Sequence, residues 1–123
     1  MPSSVLVVED EAAIRALLRR RLEAWGYQVR EAANASEALE LMLAEPSAIA
    51  IIDIKMPGRD GLWLAEQIRQ RWSRTAIIVA TGADDIATIE RSRKVGAIDY
   101  VLKPFDRELL RQALERAVKA SNE

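Results

Sequence analysis

Three acidic residues, Glu9-Asp10-Glu11, follow the apolar run 5–8, and another, Asp53, follows a second run at 48–52. Thr81-Gly82 follows a third run at 76–80, and Lys103-Pro104 follows a mixed one at 98–102. Gathered in one place, these side chains would make a pocket of carboxylates, one hydroxyl and one ammonium. Unit charges about 4 Å apart repel by about 4 kcal/mol at an effective dielectric of about 20, so clustered carboxylates call for a proton or a cation. Oxygen donors without His or Cys select Mg²⁺, Mn²⁺ or Ca²⁺, and a few carboxylates completed by waters resemble a Mg²⁺ site that awaits phosphate oxygens. An ionised Asp53 is then a nucleophile for a phosphoryl group whose charge is shared with Lys103 and Thr81. These residue types fit phosphoryl transfer to aspartate.

Each motif alone has a plainer reading. Acidic residues at a helix start complement its dipole, a role Glu11 keeps; an Asp or Thr at a strand end serves a turn or a cap, and Lys-Pro terminates strands. The chemistry therefore depends on a fold that delivers four distant segments to one place. The runs 5–8, 48–52 and 76–80 are continuously apolar, as parallel strands buried on both faces must be, while 27–31 and 98–102 mix in Gln28, Arg30 and Asp99 and suit less buried, outer strands. Helical patterns lie between them. Ile14, Leu17, Leu18, Leu22 and Trp25 form a stripe that ends at Gly26. A second helix opens on the capping box Asn34-Ala-Ser-Glu37 and stops before Pro46. Leu64, Ala65, Ile68 and Trp72 mark a third, and Leu110, Ala113, Leu114, Ala117 and Val118 a fifth. The fourth, over 83–95, offers only Ile86, Ala87, Ile89 and Val95 to a core and should be the least firmly docked.

Five alternations predict an α/β fold, a flavodoxin-like (βα)5 doubly wound domain whose parallel sheet has the order 2-1-3-4-5. Its site lies outside the carboxyl ends of the strands, where Asp10, Asp53, Thr81 and Lys103 would converge. With 123 residues, half of them hydrophobic, the chain reads as a single domain over 1–123. The absence of His and Cys excludes thiol nucleophiles, Ser-His triads and ordinary zinc sites. A net charge of −1 provides no basic field for nucleic acid, and no apolar run approaches a membrane span, so neither direct nucleic-acid binding nor membrane insertion is expected and the predicted location is cytoplasmic.

The motifs Val7-Val8-Glu9-Asp10-Glu11, Ile52-Asp53-Ile54-Lys55-Met56-Pro57-Gly58, Thr81-Gly82 and Asp99-Tyr100-Val101-Leu102-Lys103-Pro104-Phe105 resemble, in order and over essentially the whole chain, the receiver domains of bacterial two-component response regulators. The resemblance implies Asp53 as phosphoacceptor, Asp10 and Asp53 as Mg²⁺ ligands with the Lys55 carbonyl, and Glu9 acting through a metal-bound water, Mn²⁺ being an alternative ion. It further implies Lys103 as phosphoryl counter-ion, Thr81 as switch hydroxyl, Tyr100 as the aromatic that reorients, and a cis peptide before Pro104. Glu9 stands where many receivers have Asp.

The implied function is a phosphorylation-dependent signalling switch. A sensor histidine kinase or phosphotransfer protein, which must supply the phosphohistidine, phosphorylates Asp53; the fourth helix, fifth strand and fifth helix then reorganise to regulate an output domain or partner, a homodimer through that face being one arrangement. Enzymatic activity is limited to self-phosphorylation from phosphodonors and autophosphatase activity. Lys55 and Ala83, two past Asp53 and Thr81, offer no amide and carboxylate pair to assist hydrolysis, so slow dephosphorylation is expected. A haloacid dehalogenase type phosphatase would place a second acid two residues after its nucleophile, where this chain has Lys55. An FMN-binding flavodoxin would need hydroxyls and N–H groups where Glu9-Asp10-Glu11 would repel its phosphate.

Overall fold

The computed structural model describes residues 3–54, 61–82 and 86–121, with backbone alone for 86–88. Strands and helices alternate along them: β1 Ser4–Val8, α1 Ala12–Ala24, β2 Gln28–Ala32, α2 Ala35–Ala44, β3 Ile49–Asp53, α3 Gly61–Arg71, β4 Ala76–Thr81, α4 Ile86–Lys94, β5 Asp99–Leu102 and α5 Arg107–Ser121. All strand pairings are parallel, in the order β2-β1-β3-β4-β5. This is the flavodoxin-like arrangement that the alternation predicts.

Every residue of β3 and β4 is buried, which is why these segments read as unbroken apolar runs. Their side chains alternate between two cores. Leu6, Val8, Ala50, Ile52, Ile77 and Val79 meet Ala38 and Met42 of α2 and Leu64 and Ile68 of α3. Val5, Val7, Ile49, Ile51, Ile78 and Val101 meet Leu18 and Leu22 of α1 and Leu110 and Leu114 of α5.

Several boundaries and burials differ from those the sequence predicts. The Tyr27 N–H is tied to Leu22 O in the turn that ends α1, so β2 starts at Gln28. Asp53 pairs with Ala80 and Thr81 with Leu102, which makes both polar residues the last of their strands rather than the first of their loops. Leu17 is 36% exposed, because Ile14, Leu18, Leu22 and Trp25 already fill the seam and its neighbouring position lies on the flank of α1. In α2, Asn34 Oδ1 accepts from the Glu37 N–H at 2.9 Å, but the Glu37 carboxylate accepts from Ala33 N–H at 2.8 Å, one residue outside the usual box. Arg30 on β2 reaches the carbonyls of Leu41 and Glu45 and the Ser47 hydroxyl, closing the other end of α2 and accounting for a polar residue on this strand.

Among its described side chains α4 buries only Ser92, and its C-terminal turn is held from α3 by Arg69 Nη2, which donates to Gly96 O at 2.8 Å. On β5, Val101 is buried while Tyr100 and Leu102 are exposed. The Tyr100 N–H donates to Asp99 Oδ1 at 2.9 Å, and Arg116 Nε of α5 donates to Asp99 Oδ2 at 2.7 Å. Among the described residues no helix is long and apolar enough to cross a membrane.

Leu114 is fully buried, whereas Leu109 on the same helix is 59% exposed. Leu114→Ala should destabilise the domain by about 2–5 kcal/mol and Leu109→Ala by no more than about 0.5 kcal/mol, read from urea unfolding midpoints.

Candidate functional site

The carboxyl ends of β1, β3, β4 and β5 form one rim, and the backbone bonds between neighbouring strands run to its edge. Glu9 N–H donates to Ala32 O, Ile54 N–H to Ala80 O and Lys103 N–H to Thr81 O, at 3.0, 3.0 and 2.8 Å. With β1 paired directly to β3, four segments far apart in the chain are held in register. Glu9, Asp53 and Thr81 are buried and Asp10 is exposed. Carboxylate oxygens of Glu9, Asp10 and Asp53 all lie within 4.8 Å of one another. Lys103 Nζ sits 2.6 Å from Glu9 Oε1 and 3.1 Å from Asp53 Oδ2, and the peptide between Lys103 and Pro104 is cis. The structure thus brings together Glu9, Asp10, Asp53, Thr81 and Lys103. Lys55 and Ala83 lie outside the described residues. Tyr100 is on β5, 37% exposed, beside a cavity of about 80 Å³ that Ile89, Ser92 and Ala97 also line.

Burial first, and then the neighbouring Asp53, push the Glu9 carboxyl up to about 7, with Lys103 only partly opposing them. Burial alone would lower Lys103, but its hydrogen bond to Glu9 and the charge of Asp53 outweigh that and hold it above the ordinary lysine value. Lys103 is the permanent cation of the site. It does not satisfy the whole cluster: Glu9 Oε2 is buried with no hydrogen-bond partner among the described residues. Three carboxylates, one with an orphaned buried oxygen and one facing solvent, are a donor set that suits a hard divalent cation.

Two residues that the sequence reading passes over touch this backbone. Arg15 Nη1 of α1 donates to Glu9 O at 2.7 Å. Gly61 opens α3 with its N–H on Ile54 O at 3.0 Å, so close that a Cβ there would lie 2.1 Å from Asp53 O. In sequence, a Gly just after a stretch containing Pro and Gly reads as a loop residue, and an Arg on a helix reads as solvated, so neither carries a local signal.

Residues 5–115 match the response regulator receiver domain model, and the chain belongs to that family. Receiver domains are the switches of two-component signalling, work with histidine kinases and output domains, and generally use aspartyl phosphorylation and Mg²⁺ at an acidic pocket. Among curated relatives, the sporulation initiation phosphotransferase F of Bacillus subtilis is 30% identical over 116 residues, 94% of each chain. The probable C4-dicarboxylate response regulator DctR of Priestia megaterium is 37% identical over 115 residues, which are 92% of this chain but 50% of that protein. This chain therefore spans half the length of that relative. Among solved structures, chemotaxis protein CheY4 of Vibrio cholerae superposes with a TM-score of 0.90 at 28% identity, covering 95% of this chain and 99% of the other.

Because folding raises the Glu9 pKa, the stability it contributes is fully present below the unfolded value of 4.5 and is lost as pH rises through about 7. In cation-free buffer, the stability of the wild type relative to Glu9→Gln should fall between about pH 5 and about pH 8; a difference that stays flat in urea titrations across this range would contradict the raised pKa.

Gly61→Ala should cost roughly 1–3 kcal/mol, since the clash is with backbone that cannot turn aside. It should also shift the Asp53 and Ile54 amide resonances more than those of β1.

Proposed function

We propose that this chain is a switch operated by phosphorylation of Asp53, the phosphoryl group coming from a phosphohistidine on a separate kinase or phosphotransfer protein. The observation that carries this reading is Asp53 itself, 5% exposed at the end of β3, with Lys103 Nζ at 3.1 Å and the carboxylates of Glu9 and Asp10 within reach of one cation. Asp10 and Asp53 would hold Mg²⁺ or Mn²⁺ directly, Glu9 would act through a water, and the Lys55 carbonyl would complete the set. The ion supplies charge neutralisation for the carboxylates and the phosphoryl oxygens.

An Asp53 Oδ attacks phosphorus, the new O–P bond forms as the donor's P–N bond breaks, and the electron pair leaves with the donor imidazole. Lys103 is already placed to pair with the added charge, so little reorganisation is needed there. Thr81, beside Asp53 at the end of β4, is the hydroxyl that would turn toward a phosphoryl oxygen. Tyr100 would then move toward the space it borders with α4, changing the face made by α4, β5 and α5, which an output domain, a downstream protein or a second copy reads. Nothing in this scheme requires nucleic acid or membrane contact by the domain, and a cytoplasmic location fits it. A dehalogenase-type phosphatase is less well supported, because Lys55 is a cation where that chemistry needs an acid.

Acetyl phosphate with Mg²⁺ should add one phosphoryl group to wild type and none to Asp53→Asn, by intact mass. Beryllofluoride with Mg²⁺ should change amide exchange in α4 and β5. Unchanged acyl-phosphate formation in Asp53→Asn would sink the assignment, and exchange changes confined to α2 would remove the switch face.

A further inference from the structure

The acidic pair Glu9-Asp10 sits on a connection, not on a strand, and its two members are held very differently. Glu9 is buried and bonded to Lys103. Asp10 is exposed, and its side chain has no hydrogen bond or ion pair among the described residues. Among the described residues, it is the backbone that fixes where the Asp10 carboxylate points. The peptide that leads into Asp10 begins at the Glu9 carbonyl, and this carbonyl is the one Arg15 Nη1 takes at 2.7 Å. The Glu9 N–H is already fixed by Ala32 O on β2. Glu9 is thus clamped on both sides, by a strand at its N–H and by a guanidinium at its carbonyl.

Arg15 is itself clamped. Its Nε lies 3.5 Å from Glu31 Oε1 on β2, Arg19 bonds the other oxygen of Glu31, and Arg19 also pairs with Glu23 at 3.4 Å. Glu31 stands beside Val7 in the strand register, so the relay is anchored in the sheet two residues before Glu9. This relay also settles a conflict of charge. A guanidinium beside three carboxylates would compete with a cation for them, but the Glu31 carboxylate offsets Arg15 and draws it toward β2, away from Asp53. The side chain can then grip a carbonyl of the acidic segment without neutralising its acids.

We propose that Arg15 is a positioning residue: through the Glu9 carbonyl it sets the Asp10 carboxylate for cation binding, and Glu31 and Arg19 hold it in that role. The inference rests on the acidic cluster being a divalent cation site, as the phosphoacceptor reading requires. It carries a sign that a purely electrostatic role lacks. Removing a positive charge close to a cation site should tighten binding by field effects, whereas removing a positioning contact should weaken it.

Mn²⁺ affinity, from the electron paramagnetic resonance of the free ion, and amide exchange at Asp10 and Glu11 in cation-free protein test this together. Arg15→Ala should bind Mn²⁺ about tenfold more weakly than wild type, the usual scale for supporting contacts around a metal site, and should exchange faster at Asp10 and Glu11. Arg15→Lys, which keeps the charge and one donor, should recover part of both, and Arg111→Ala, an exposed pair on α5, should change neither. If Arg15→Ala does not fold, Arg15→Gln, too short to reach Glu9 O, takes its place with the same expectation. Equal or tighter Mn²⁺ binding in the folded variant overturns the positioning role. A wild type that binds no Mn²⁺ would instead overturn the cation site, and the exchange comparison alone would then decide whether Arg15 holds the Asp10 backbone.

Discussion

Like charges forced together at the end of an apolar sheet are the constraint on which the rest of this structure depends. Glu9 and Asp53 are buried side by side, and they are tolerable there because Lys103 bridges them at 2.6 and 3.1 Å. The Lys103 ammonium does not satisfy them completely, and Glu9 keeps a raised pKa and, among the described residues, an oxygen without a partner. The central strands offer no alternative location for such a cluster. With both faces of β3 and β4 covered, the only polar places along them are their ends, and the parallel direction puts all the carboxyl ends on one rim.

The same geometry ties the rim to a distant surface. Lys103 belongs to the connection from β5 to α5, and its N–H is bonded to Thr81 O, so the cation, the hydroxyl and the outer strand share one hydrogen-bonded edge. A change in what Lys103 and Thr81 contact would bear on the end of β5 through that bond. Tyr100 and Leu102 on that strand are exposed, and beside it α4 buries only Ser92 among its described side chains, while the turn after it is held by Val95 and the Arg69 to Gly96 link. Parts of a protein with few buried contacts change state at low cost, and this protein has them next to its charged rim.

How much could be read in advance follows from the same physics. Val5 to Val8 and Ala76 to Ala80 are legible because burial on both faces leaves a continuous apolar run, and topology then puts the residues after such runs on the rim. Leu17 misleads because hydrophobicity marks a helix stripe without saying how wide the seam it fills is. Gly61 and Arg15 are invisible for a different reason. Their roles lie in a missing Cβ against Asp53 O and in a bond to the carbonyl of Glu9, and backbone atoms have no identity in a sequence. The side chains gathered at the rim were therefore legible, and the contacts that hold the backbone beneath them were not.

The small arrangement at Asp99 has a consequence for how this molecule meets others. β5 ends the sheet, and an outermost strand normally presents unpaired N–H groups that can recruit an extended segment from another chain, in recognition or in aggregation. Here the Tyr100 N–H is occupied by the Asp99 carboxylate, which Arg116 in turn holds from α5. The edge is blunted by its own side chain, and Pro104 soon after it has no N–H to offer. One outward donor of this edge is thereby taken within the molecule, which makes β5 a poorer template for strand addition at Tyr100.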